Sequence, residues 1–348
     1  MPRHGNGNTH SARLRDVAKA AKVSVSTASR ALKDDPRISQ RTRERVHRHA
    51  SRLDYRADLV ARSLSLRRTF TVGLIVGDIG NPFYADLARG VETVLHDAGY
   101  IYFLGDSNGQ AELQREIARR MVERRVDGLL VTVPHDRDVL TQKHVPVAGI
   151  GRCPPGTPYV TVDHVMGATL AVEHLVEMGY RRIGMLLGEP SLTPVIDRRK
   201  GYRKAIAAAG MGDPLEVVCP DITYEAAYIG AHKLVESGAD AIFAISDTLA
   251  VAAMAAVMDS HKRVPGDIGI VGYDDTAMAG WPFFNLTSVA QSTTRVGEEA
   301  ARMILRLIED GGASSEPVVL PPHLVVRGSS RGPLHGRKAS PRRLPGGR

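Results

Sequence analysis

Five short hydroxyl side chains and one arginine lie close together near the start of this chain: Ser24, Thr27, Ser29, Arg30, Ser39 and Thr42. Short hydroxyls donate to phosphate oxygens. An arginine fork matches either a phosphate or the O6/N7 edge of guanine. Other chemistry has little support. Cys153 and Cys219 have no metal-ligand spacing, and the histidines are scattered. No Ser/His/Asp or Cys/His pairing has a recognisable context, and the glycines of GLIVGDIG lack the dinucleotide spacing. An enzyme is therefore not expected, and neither is a metal or a cofactor. Two thiols in a reducing compartment are expected instead.

Charge agrees with the hydroxyl cluster. Residues 1–68 carry 17 Lys/Arg against 6 Asp/Glu, a balance of +11; residues 69–330 balance at −9, and residues 331–348 at +6. A basic head on an acidic body is what a phosphate-binding module joined to a sensor of something else would show.

The elements that must hold these residues can be read from periodicity. Leu14, Val17, Ala18 and Ala21 have helical spacing. A break at Lys22-Val23 follows, and Ser24 stands where an N-cap belongs. Ala28, Ala31 and Leu32 give a second helix its buried stripe, and small residues at 18, 21 and 28 let the two helices cross closely. This is a helix-turn-helix pattern. A third helix is expected over 39–53, capped by Ser39, with Val46, Ala50 and Leu53 inward. Residues 57–66 would form a short hinge helix.

Beyond residue 69, apolar strands alternate with amphipathic helices. Strands are expected at TVGLIVGDI, YIYFLGD, DGLLVTV, VPVAGIGR, RRIGMLLGE, EVVCP, AIFAIS, IGIVGYD, SVAQS and EPVVLPPHLVVR. Helices are expected over 83–98, 109–124, 166–179, 197–209, 224–237, 247–259 and 294–310. Such alternation implies parallel sheets covered on both faces, and its two series suggest two similar lobes. No apolar run approaches the ~20 residues of a membrane span. MPRHGNGNTHSAR has no signal core, so export is not expected. The Gly/Pro/Arg-rich tail over 333–348 has no leucine heptads, which argues against a coiled-coil tail.

The head resembles the N-terminal domain of the lactose-repressor (LacI/GalR) family. The matching residues are Asp16-Val17-Ala18, Val23-Ser24, Thr27, Ser29-Arg30, Ile38-Ser39, Thr42-Arg43, Val46, Leu53, Tyr55 and Ala61-Arg62-Ser63-Leu64, without a gap. A weaker likeness continues to about residue 328. The resemblance implies an α/β fold class: an all-α helix-turn-helix head plus a two-lobed, periplasmic-binding-protein-like body of doubly wound parallel sheets. The implied division is 1–12 disordered, 13–56 DNA-binding head, 57–69 hinge and linker, 70–330 ligand-binding core and 331–348 basic disordered tail. The N-lobe would comprise about 70–164 and 292–321, and the C-lobe about 165–291 and 322–330. The chain would cross between lobes near 165, 290 and 322.

By the same resemblance Val25, Ser26 and Arg30 face base edges. Val25 suits a thymine methyl and Arg30 a guanine, worth roughly 1–3 kcal/mol of discrimination, with a phosphate contact as the alternative for Arg30. Ser24, Thr27, Ser29, Ser39 and Thr42 would hold phosphates, with Tyr55 also counted as DNA-binding. Leu64 would wedge into the minor groove at the operator centre. Several positions depart from the family pattern. Ala57 and Asp58 replace Pro and Asn, Arg13 replaces a capping Thr, and Lys22 replaces a turn glycine.

In the body the resemblance implies a ligand site of Asn81, Phe83, Tyr84, Arg152, Arg198, Ser246, Asp274 and Gln291, at the carboxyl ends of strands. A carboxylate, guanidinium, amides and aromatics suit a polyhydroxylated ligand. The positions of a purine site fall on Ile222, Leu192 and Pro194, which does not suit a base. Gly151 stands where an acidic sugar ligand is usual. With Arg152 kept, that leaves a phosphorylated or carboxylated sugar open. Trp281 either lines the cleft or packs on the lobe surface.

The expected function is a ligand-responsive transcription regulator, a repressor, sensing a sugar or sugar-derived molecule. It would be homodimeric, with double-stranded DNA bearing a pseudopalindromic operator as partner and a carbohydrate-like effector. It would be cytoplasmic and nucleoid-associated, without membrane contact. A corepressor or non-sugar ligand is the alternative within this class. Outside it stand a solute-binding protein and a sugar-handling enzyme with an accessory head.

Overall fold

The computed structural model describes residues 12–55, 68–134, 138–141, 145–311 and 316–332. The chain forms two compact units, Met1–Thr69 and Phe70–Arg348. The hinge segment with Ala57, Asp58 and Leu64, the first eleven residues and the tail from 333 lie outside the described residues.

The head has three helices: α1 (Leu14–Ala20), α2 (Val25–Ala31) and α3 (Gln40–Arg52). Their core is small and alanine-rich: Val17, Ala18, Ala21, Ala28, Ala31, Val46 and Ala50, closed by Leu14, Val23, Leu32, Ile38 and Tyr55. Short side chains let short helices approach. Lys22 turns the chain between α1 and α2 with φ +52°, a left-handed conformation that explains why a glycine would also serve there. Ser24 caps α2 by accepting from the Thr27 amide at 3.0 Å. Ser39 caps α3 by accepting from Thr42 at 3.4 Å. At α1 the cap is reversed: the Asp16 carboxylate accepts from the Arg13 amide at 2.9 Å, so the loss of a capping Thr leaves that amide satisfied. The expectation for Leu53 needs correction. It is 39% exposed at the C-cap of α3, and Tyr55 packs on the core instead.

The body contains two six-stranded sheets. The first takes β1 (Thr71–Val76), β2 (Ile101–Asp106), β3 (Gly128–Thr132), β4 (Val147–Ile150), β5 (Tyr159–Val162) and a late strand, β11 (Val318–Leu320). Its order is β11-β5-β4-β3-β1-β2, all parallel. The second takes β6 (Ile183–Leu187), β7 (Leu215–Val218), β8 (Ala241–Ala244), β9 (Gly269–Asp274), β10 (Thr287–Ala290) and β12 (His323–Val325). Its order is β12-β10-β9-β8-β6-β7, parallel except for β12 against β10. Helices α4 (Pro82–Asp97), α5 (Ala111–Glu123), α6 (His164–Glu177), α7 (Thr193–Ala208), α8 (Tyr224–Glu236), α9 (Asp247–Asp259) and α10 (Thr293–Glu309) join the strands.

Two strand expectations change. YVTV at 159–162 is a strand that the sequence reading passed over, being only four residues long. EPVVLPPHLVVR is two strands in different sheets, because Pro321-Pro322 removes two amide donors and ends the first ladder. The chain passes from one sheet to the other three times: between β5 and α6, between β10 and α10, and between β11 and β12. Helices α10 and α4 pack tightly in the first lobe. A Cβ on Gly90 would stand 2.0 Å from the Thr294 carbonyl oxygen, and one on Gly297 2.2 Å from that of Leu87, so both positions require glycine. The second lobe has the larger core, built around Tyr180, Tyr202, Phe243 and Tyr273.

Candidate functional site

Two sites emerge, one in each unit. In the head, Val25 (49% exposed), Ser26 and Arg30 face solvent from α2 on the side away from the core. The hydroxyls are linked: Ser24 Oγ lies 2.9 Å from Ser26 Oγ and 2.8 Å from Thr27 Oγ1, and Ser39 donates to Thr42 Oγ1 at 2.9 Å. They form two polar clusters at the N-termini of α2 and α3, each beside amides not consumed by the helix. Ser29 and Tyr55 are half-buried. Arg43 donates to the carbonyls of Asp34 and Asp35 at 3.3 Å and so pins the loop ahead of α3. Arg41, Arg45, Arg48 and Arg52 are exposed at helical spacing along α3, adding positive charge. Such a surface can hold polyanion and read base edges; it has no group placed for bond-making chemistry.

In the body a cavity of about 120 Å³ opens between the carboxyl ends of the two sheets. From the first lobe come Asn81, Phe83 and Tyr84 after β1, Thr132 at the end of β3, and Gly151 after β4. Asn81 caps α4 by accepting from the Phe83 amide at 3.0 Å. Tyr84 lies under Gly77, where a Cβ would come within 2.7 Å of its hydroxyl, and burial pushes that phenol up to about 12. Gly151 has φ +107°, a backbone that favours glycine at the position where the family resemblance implies an acidic residue.

From the second lobe come Leu192, Pro194, Val195 and Arg198 around α7, Ile222, Ile245 and Ser246, and Asp274. Arg198 is the hub. Its Nη1 donates to the Ile245 carbonyl at 2.5 Å, and its guanidinium carbon lies 3.8 Å above the Tyr273 ring. Nη2 is 4.0 Å from Asp274 Oδ1, while Nε is buried without a partner. Asp274 ends β9 with φ +111°, a strained backbone for a non-glycine residue. Gln291 donates to its Oδ1 at 2.5 Å. Burial raises the Asp274 carboxyl above its ordinary range although Arg198 opposes the shift, and Asp247 adds to it.

Seven of the eight residues expected in the ligand site line this cavity. Arg152 does not: it is half-exposed and donates to Asp197 on α7 at 2.8 Å, an ion pair between lobes. The Ser246 hydroxyl lines the cavity while capping α9 through the Leu249 amide at 3.3 Å. Asp247 turns inward, accepting from Thr276 N at 2.7 Å, Thr276 Oγ1 at 2.9 Å and Ser288 Oγ at 2.6 Å, so its role is structural. Trp281 lies outside the cavity, exposed and stacked on Phe284. His164, Thr132 and the apolar wall of Val195 and Ile245 were not expected from sequence. The signal for His164 was its place just after YVTV, and it went unread because that strand was.

Comparison with known proteins follows the same division. The profile of bacterial regulatory proteins, lacI family, matches residues 13–58, and that of the periplasmic binding protein-like domain matches residues 172–330. The HTH-type transcriptional regulator CelR of Thermobifida fusca is 36% identical over 335 residues, spanning 91% of this chain and 97% of its own. A solved structure of a transcriptional regulator CelR–cellobiose complex is 32% identical with a TM-score of 0.69, covering 91% of this chain and 99% of that one. The lac repressor dimer bound to operator and an anti-inducer is 25% identical with a TM-score of 0.82, over 92% and 99% of the two chains. Among the described residues no helix is long and apolar enough to cross a membrane. With a helix-turn-helix head and a two-lobed, cleft-bearing body matched along nearly its whole length, this chain belongs to the lacI family of DNA-binding, ligand-responsive bacterial transcription regulators, a family of regulators and not of enzymes.

Proposed function

We propose that this chain is a homodimeric repressor that releases its operator when a neutral, single-ring polyhydroxylated molecule fills the cleft. The observation that carries the reading is the cavity itself. It brings Asn81 and the aromatics Phe83 and Tyr84 of the first lobe together with Arg198 and Asp274 of the second, and with Gln291 on the second passage between them. Hydroxyls need paired donors and acceptors, and a ring face needs a flat apolar wall. The size favours one ring: the cavity is about 120 Å³, and a cavity of about 150 Å³ is enough to hold a single benzene ring, although the CelR structure carries cellobiose. Arg152 supports a neutral ligand, because Asp197 already balances its charge.

Two copies are expected because β2 is an edge strand with Ile101 (64%), Phe103 and Leu104 exposed. Such an edge is ordinarily covered. Val25, Ser26 and Arg30 of each copy would read one half-site, and Leu64 of the hinge would wedge between base steps. A regulator acting in this way would work in the cytoplasm, at the nucleoid.

The test is a titration of the full-length protein on a fluorescent promoter fragment from upstream of its own gene, with and without D-ribose, D-xylose, D-glucose or cellobiose. Release of the duplex by a single-ring sugar is the expected result. Tighter binding with sugar would make the effector a corepressor, and no response to any would remove the carbohydrate reading.

A further inference from the structure

His164 is a buried side chain that the ligand reading leaves unexplained. It is the first residue of α6, two positions past β5, and so lies on the first passage between the lobes. Among the described residues only one of its ring nitrogens meets protein. Nδ1 is 3.1 Å from the Tyr273 hydroxyl and 3.5 Å from Arg198 Nη2. A guanidinium only donates, and its positive charge faces that nitrogen. The lone pair therefore belongs on Nδ1, with Tyr273 donating its O–H, and the ring proton belongs on Nε2. Gly167 permits this arrangement, since a Cβ there would stand 2.4 Å from the Tyr273 hydroxyl.

Burial first, then the charges of Arg198 and Arg152, holds His164 well below the usual imidazole range, so the ring keeps a single proton. Among the described residues Nε2 has no hydrogen-bond partner and is not fully enclosed, while the residue lines the cavity. The ring thus presents a donor of fixed direction to the space a ligand would fill. A donor left unmet at such a site is unfavourable, and a ligand acceptor would satisfy it.

We propose that His164 is a specificity-determining ligand contact, offering Nε2–H to an acceptor oxygen of the bound ring from the very segment that links the lobes. The inference rests on the cleft being a small-molecule site. It adds a consequence for regulation: His164 on the first passage and Gln291 on the second both reach the cavity, so an occupant touches two of the three connections directly.

The test uses full-length protein, isothermal titration with D-ribose, D-xylose, D-glucose and cellobiose, and two variants. His164→Gln keeps an N–H at similar reach; His164→Phe keeps the volume without the donor. For any sugar that the unmodified protein binds, affinity should fall at least about tenfold in His164→Phe and stay within about threefold in His164→Gln, the difference expected of one buried hydrogen bond. Equal affinity in the Phe variant would overturn the proposal. A second readout needs no ligand and no stable Phe variant. In protein labelled with ¹⁵N-histidine, the resonance lost in His164→Gln should show a proton on Nε2 and none on Nδ1. A proton on Nδ1, or on both, would overturn it. If no sugar binds the unmodified protein, the carbohydrate reading fails on its own, and the ring spectrum still decides whether His164 holds the donor.

Discussion

Arg30 and Asp274 make the most direct claims at the level of single side chains. Arg30 is exposed near the end of α2, with its guanidinium free of hydrogen bonds among the described residues. Arg30→Ala should cost roughly 1–3 kcal/mol on the operator and nothing comparable on a scrambled duplex. Equal losses in a paired anisotropy titration would assign it to phosphate instead. Asp274 makes a different prediction, about stability. Its carboxyl is raised by burial, so the folded protein holds a proton that the unfolded chain has released above the ordinary carboxylate range. The contribution to stability is full below that range and is lost as pH rises through the elevated folded value. Asp274→Asn should therefore flatten the decline in melting temperature with rising pH, while weakening sugar binding. An unchanged slope would show that the carboxyl is ionised in the fold.

Caps and strand ends decide how much of the molecule could be read in advance. Ser24 illustrates a residue with two roles, helix cap and phosphate donor. Ser24→Ala should destabilise the head by about 1 kcal/mol, whereas Ser24→Asp keeps a good cap and places a negative charge beside phosphate. Hydrogen exchange of the head amides should rank Ala below Asp, and DNA affinity should put Asp lowest. The head was legible because capping and periodicity are local: the N-caps Ser24 and Ser39 and all seven buried core residues of the head follow from spacing. Leu53 was misplaced because periodicity does not report where a helix stops. In the body the long elements were legible and the short ones were not. YVTV has too few residues to show a pattern, and the apolar letters of EPVVLPPHLVVR ran together across its prolines. The site suffered accordingly. Residues with a family precedent were found, whereas His164 depends on a strand end that only the three-dimensional pairing of β5 with β4 and β11 reveals. Arg152 was placed in the cleft because its partner Asp197 is 45 residues away, a separation that sequence spacing does not connect.

For the molecule as a whole, assembly and DNA binding should fail together. Phe103→Asp puts a charge on the exposed face of β2 without touching either lobe's buried core. It should yield monomers in sedimentation and lower operator affinity steeply, because two half-site contacts then become one. A dimer that persists with Phe103→Asp would place the partner face elsewhere. The two lobes are joined by three chain passages, and these differ in character. The last is only Pro321-Pro322, between β11 and β12. Each ring fixes its own φ, and the first proline also confines the residue before it to extended backbone. A joint so short and stiff acts as a pivot: the halves can swing about it, yet they cannot slide along one another or drift apart. The opening of the cleft is thereby confined to an arc, and a swing along a single arc can be passed on to other parts of a protein as a defined displacement.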